Sequence, residues 1–216
     1  MSRVFVILLV IVSSAHLYAS WANDNKLRAV TKPFILVCIG LWYLFRTGSP
    51  DRLVVAAVFF GWLGDILLIP RGTKWFSMGG ISFMLGHVFY IAAFAARTDF
   101  SNIRWFNVFF AFVVYFFVAV RLMGSIKKDM SPRLYYPMLT YLAVNGTMNI
   151  FALMYLMSGL RPEALIVYVG AILFFISDCC LFLVRFRRPP VMKHRHFSVM
   201  LTYILAEFLI VYGLSV

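Results

Sequence analysis

Residues Ala164 to Val184 read ALIVYVGAILFFISDCCLFLV, an unbroken apolar run of 21 residues in which Asp178 is the only formally charged side chain. A helix of that length crosses the hydrocarbon core of a bilayer, which takes about 20 apolar residues at 1.5 Å per residue. Seven further apolar runs flank it, each bounded by charged or turn residues: Val4 to Ala22, Pro33 to Phe45, Leu53 to Ile69, Phe76 to Ala96, Trp105 to Val120, Leu134 to Met157 and Phe197 to Leu214. The chain therefore reads as an all-α integral membrane protein, with about eight transmembrane helices in one bundle and a single domain over residues 1–216. Its 216 residues are 63% hydrophobic and 13% charged. With a mean hydropathy of +0.90, they leave no room for a soluble domain.

The formal charge of +12 comes from 20 Lys and Arg against 8 Asp and Glu. The basic residues fall between apolar runs rather than on a polar face interleaved with aromatics, so they mark topology and anionic headgroups and not nucleic acid. Eight crossings place six of them on the side of the termini and fourteen on the other. The positive-inside rule then makes the fourteen-residue side cytoplasmic and puts both termini opposite. The first run exceeds a signal-peptide core in length and reads as an uncleaved helix. Cys38, Cys179 and Cys180 lie within apolar runs and read as packing residues.

An ionisable side chain in hydrocarbon costs at least about 2.5 to 3.5 kcal/mol on insertion scales, so each needs a reason to be there. Five of the eight acids are in loops; Asp65, Asp178 and Glu207 are within apolar runs. Gly64-Asp65-Ile66-Leu67-Leu68 and Ser177-Asp178-Cys179-Cys180-Leu181 stand 113 residues apart, each ahead of a basic residue, which suggests two parallel four-helix halves. Both carboxylates then sit at similar depth near the basic side. Two carboxylates at one level can divide acid and base roles, which suits cleavage through an oxocarbenium-like intermediate. The plainer reading leaves each neutral or pairs it with an Arg such as Arg71 or Arg185, merely to fix helix register.

Other polar residues recur at helical spacing. His87 and Tyr90 share one face of the fourth run; Tyr141, Asn145 and Asn149 form an i, i+4, i+8 stripe in the sixth; Tyr203 and Glu207 stand four apart in the last. Lys32-Pro33 opens the second run, placing Lys32 to meet a lipid phosphate or to snorkel to the interface. Gly61, Gly64, Gly79, Gly80 and Gly86 allow close helix approach, and His194-Arg195-His196 reads as a basic loop at the headgroups. No HExxH, GxSxG, Walker A or dinucleotide signature occurs, and a metal site is not expected.

Lys32-Pro33, Gly64-Asp65, Phe76 with Gly79 and Gly80, Phe83, His87 with Tyr90 and Phe94, and Gly170-Ala171-Ile172-Leu173-Phe174 leading to Ser177-Asp178 stand in an order that resembles the YhhN family of lysoplasmalogenases. The resemblance runs from Lys32 to Glu207. It implies an eight-helix membrane enzyme, without cofactor, that hydrolyses the vinyl ether bond of alkenyl lysophospholipids to a fatty aldehyde and a glycerophospho-alcohol. The family's two conserved acids fall on Asp65 and Asp178. Lys32, His87, Tyr90, Asn145, Asn149, Ser177, Tyr203 and Glu207 are the expected binding or supporting residues, with lysophospholipid and membrane lipids as partners. One departure is Ala206-Glu207, where the family usually has Ala-Gln. The competing function is a proton-coupled transporter or channel, which also uses paired intramembrane carboxylates.

Overall fold

The computed structural model describes residues 2–188 and 195–216, apart from the side chain of Arg195. Eight α-helices follow in chain order: α1 Ser2–Trp21, α2 Asn25–Arg46, α3 Arg52–Leu67, α4 Thr73–Ala95, α5 Trp105–Ile126, α6 Pro132–Met157, α7 Pro162–Phe186 and α8 Arg195–Gly213. Short 3-10 turns at Phe100–Asn102 and Lys127–Asp129 flank α5, and no strand occurs among the described residues. Seven of these helices are long and apolar enough to cross a membrane. The protein is an integral, multipass membrane protein. The remaining helix, α3, has 16 residues, about 24 Å at 1.5 Å per residue and so shorter than the hydrocarbon core.

All five loop acids have structural work. Asp24 and Asp51 cap α2 and α3 by accepting backbone N–H groups, and Asp99 caps the turn before α5. Asp129 accepts the N–H of Arg188, and Glu163 pairs with Arg161 at the start of α7. Capping by carboxylates satisfies N–H groups that have no partner inside the helix.

The second helix corrects the expected segment. Lys32-Pro33 does not open it: Asp24 accepts from the N–H groups of Lys26 and Leu27, the helix begins at Asn25, and Pro33 lies in its interior. Lys26, Arg28 and Lys32 interrupt the hydropathy and hide this first stretch of helix. Pro33 also has no N–H to offer the carbonyl of Ala29, four residues back.

Helix α3 packs against α4, and α7 against α8, as the two closest pairs in the bundle. Small residues set these distances. A Cβ at Gly64 would stand 2.7 Å from the Phe83 ring, and one at Gly170 would stand 3.0 Å from the Ala206 carbonyl oxygen. Such approaches are the means by which membrane helices associate where lipid removes the hydrophobic drive between them. Gly80 is the exception among the expected contacts, with nothing nearer than 3.8 Å. Helix α5 exposes Phe106, Phe109, Phe110, Phe116 and Phe117, an aromatic face suited to lipid chains.

Candidate active site

Helix α3 stops at Leu67, and the chain from Leu68 to Arg71 turns along the wall of a recess that its shortness leaves open. This cavity of about 400 Å³ lies among α1, α2, α4, α7 and α8, and both Asp65 and Asp178 line it. Its polar wall carries Arg28, Lys32, Arg71, Arg185 and Arg188, with His16 and His196. Each of the lining residues lies in the half of the bundle toward the basic loops.

Asp65 is 1% exposed and meets side chains from α2 and α8. The Lys32 ammonium lies 3.1 Å from Oδ1, and the Tyr203 hydroxyl donates to Oδ2 at 2.9 Å. Lys32 thus serves one carboxylate oxygen as an ion-pair partner, and the Tyr203 phenol serves the other. Asp65 therefore pairs with Lys32 and not with Arg71, and among the described residues no Arg pairs with Asp178. Arg185 instead stacks over the Phe76 ring at 5.1 Å.

Asp178 meets α6 and α4. The Tyr141 hydroxyl and the Asn145 amide both donate to Oδ2, at 2.7 and 2.6 Å, and His87 Nε2 lies 3.6 Å from the same oxygen. His87 Nδ1 is 2.7 Å from the Phe83 carbonyl. A carbonyl only accepts, so Nδ1 carries a proton and Nε2 faces the carboxylate. The Phe174 ring sits edge-on to the imidazole at 4.7 Å and fixes it. Behind Asn145 the polar stripe continues: Asn149 donates to the Asn145 side-chain oxygen at 3.0 Å, and the Tyr115 hydroxyl donates to Asn149 at 3.1 Å.

The two clusters correspond by position. Lys32 and Asn145, Asp65 and Asp178, and Tyr90 and Tyr203 are three pairs each 113 residues apart. Each aspartate meets the helix before its own, α2 or α6, and the fourth helix of the other half, α8 or α4. The correspondence breaks at Tyr90, whose hydroxyl donates to Glu207 at 2.7 Å rather than to Asp178. His87, one turn earlier, takes the place at Asp178.

Of the residues expected from the sequence, Lys32, Asp65, Ser177, Asp178 and Tyr203 line the cavity. His87 and Asn145 reach it through Asp178, and Asn149 only through Asn145. Tyr90 and Glu207 form a separate buried pair, and the Ser177 hydroxyl is turned away to donate to the Val199 carbonyl at 3.0 Å. His194 of the basic loop lies outside the described residues; Arg195 and His196 belong to the first turn of α8 and not to a loop, and His196 contacts Arg28 at 3.1 Å. Two features go beyond the expected set. His16 lines the cavity from α1, and Tyr141, marked in the sequence only as part of a stripe, bonds directly to Asp178. No group of three potential metal ligands occurs among the described residues.

The architecture and this site define a polytopic helical membrane protein with two buried carboxylates beneath a basic mouth. The YhhN family model matches residues 27–214, and the chain belongs to that family, the family of the lysoplasmalogenases. Neither a curated protein nor a solved structure matches the chain.

Proposed function

We propose that the protein hydrolyses the vinyl ether bond of alkenyl lysophospholipids, with Asp178 as acid and Asp65 as base. The observation that carries this reading is the pair of unlike carboxylates that line one cavity together with several cations. Family membership supports a lysoplasmalogenase-type activity, and the unlike surroundings of the aspartates supply a division of labour. Asp65 is the carboxylate of an ion pair. Asp178 lines the cavity and accepts two neutral donors on Oδ2, so in this reading Oδ1 is the oxygen that carries the proton.

The chemistry follows. Asp178 protonates the β-carbon of the vinyl ether; the C=C electron pair forms the new C–H bond, and the α-carbon becomes part of an oxocarbenium ion. The Asp65 carboxylate stabilises that cation and takes a proton from the water that adds to the α-carbon. As the hemiacetal collapses, the Asp178 carboxylate takes back a proton from its hydroxyl while the C–O bond to glycerol breaks, and Asp65 gives its proton to the leaving oxygen, so aldehyde and glycerophospho-alcohol form with one water consumed and both acids return to their starting forms. Fixed charges and donors in a site shielded from bulk water favour such a cation more than the same groups would in water. Arg71, Arg185 and Arg188 suit a headgroup phosphate, since guanidinium forks match phosphate oxygens. The alkenyl chain lies toward the bundle interior.

A lining confined to the basic half favours a site entered and left from one side over a transport path. The test is to supply the detergent-purified protein with alkenyl and acyl lysophospholipids in parallel and to follow aldehyde release. Aldehyde from the alkenyl lipid alone is expected, and its absence from both refutes the reading.

A further inference from the structure

His16 stands apart from the machinery described above. It lies on α1, before the first residue that the family model matches, and is 1% exposed yet lines the cavity. Its Nδ1 is 2.8 Å from the Thr31 hydroxyl. That hydroxyl gives its own proton to the Leu27 carbonyl at 2.7 Å, so it accepts, and Nδ1 must be the donor. The ring is thereby held with its proton on Nδ1. Nε2, buried and without a hydrogen-bond partner among the described residues, is an acceptor in the neutral ring.

The same wall also carries cations. Arg28 and Lys32 of α2 line the cavity with His16, and Arg71 on the α3–α4 turn and Arg185 and Arg188 at the end of α7 join them. An anion alone would be served by these cations and would leave Nε2 of His16 unpaired, at the cost of a buried polar atom with no partner.

We propose that His16 forms a headgroup subsite that takes an N–H or O–H donor attached close to the phosphate. The inference rests on reading the cavity as a phospholipid headgroup site. The donor is either a primary ammonium, as in an ethanolamine headgroup, or a free hydroxyl of the glycerol. His16 is then a specificity residue: it rejects ligands whose corresponding group is trimethylated or lacks the hydroxyl.

The experiment is calorimetric titration of the detergent-purified full chain with four soluble phosphates, none of which carries a vinyl ether. Binding can therefore succeed or fail independently of aldehyde release. Phosphoethanolamine against phosphocholine isolates the ammonium donor; glycerol 3-phosphate against 3-hydroxypropyl phosphate isolates the secondary hydroxyl. In at least one pair the donor-bearing ligand is expected to bind about tenfold more tightly, the scale of one unpaired buried acceptor. His16→Phe should bring that ratio to near one. His16→Gln, which keeps an acceptor oxygen, should retain most of it, and the pair showing the preference identifies the donor. Equal affinities within both pairs, a preference unchanged in His16→Phe, no binding of any of the four, or an equal loss of all four in both variants would each overturn the proposal.

Discussion

Around Asp65 and around Asp178 the bundle builds nearly the same arrangement twice, and the exchange at the helix before each aspartate is chemical. Counting 113 residues from Lys32 reaches Asn145, so an ammonium faces the first aspartate where an amide faces the second. A cation 3.1 Å from Asp65 is a stronger electrostatic partner than the neutral amide and phenol that donate to Asp178. A duplicated frame thus gives two like acids unlike partners, and the proposed division into acid and base draws on that asymmetry.

The largest effect expected is from the acids themselves. Asp65→Asn and Asp178→Asn each keep the size of the side chain and remove its proton chemistry, and each should lower the rate of aldehyde release by about 10²- to 10⁴-fold, the range for a general acid or base. The double variant should be little worse than either single one, because groups acting as a unit lose their effect together. Undiminished activity in both single variants would remove the two-carboxylate mechanism.

Exchanging the partners comes next. Asn145→Lys gives Asp178 the ammonium that Asp65 has, and should cost about 10²-fold by turning the acid into a second carboxylate. Asn145→Ala should cost only about tenfold, since it removes one hydrogen bond to a charged or polar acceptor. Equal losses in the two variants, measured under single-turnover conditions, would show that Asn145 merely positions Asp178. Lys32→Met should cost more than Lys32→Arg, because only the former leaves Asp65 a buried carboxylate without its cation.

Much of this frame is legible from residues alone because bilayer physics is strict. Asp65, Asp178 and Glu207 stand out in apolar runs where charge is costly, and their matched surroundings are visible as short strings. The start of α2 is hidden for the converse reason: Lys26, Arg28 and Lys32 lower the hydropathy of a stretch that is fully helical. His16 is visible only as an isolated imidazole, since its meaning depends on Thr31 across a helix pair and on a proton that Thr31 hands to Leu27. Tyr90 and Tyr203 occupy equivalent positions, yet nothing in their own strings indicates that one meets Glu207 and the other Asp65. Which partner a side chain finds is decided by neighbouring helices.

The tyrosines sharpen the comparison further. Tyr203→Phe strips one donor from Asp65, and Tyr141→Phe strips one from Asp178. Each loss should lower the rate by about tenfold, the measure of one hydrogen bond to an ionised or strongly polar group. If Asp65 is the ionised partner, the Tyr203 variant should suffer more, and a larger loss in Tyr141→Phe would reverse the assignment of acid and base.

The smallest effect belongs to the carboxyl outside the matched pair. Glu207 is buried at 1% exposure, accepts the Tyr90 hydroxyl at 2.7 Å, and does not line the cavity. A carboxamide offers the same acceptor oxygen, so Glu207→Gln should leave aldehyde release within about threefold of wild type, a change below that of one lost hydrogen bond. Glu207→Leu instead strands the Tyr90 hydroxyl and should lower stability by about 1 to 3 kcal/mol, read as an earlier thermal transition in detergent. This pair of variants separates packing from chemistry. A Gln variant as stable as wild type but a hundredfold slower would make Glu207 a third participant, and the two-aspartate division would no longer account for the reaction.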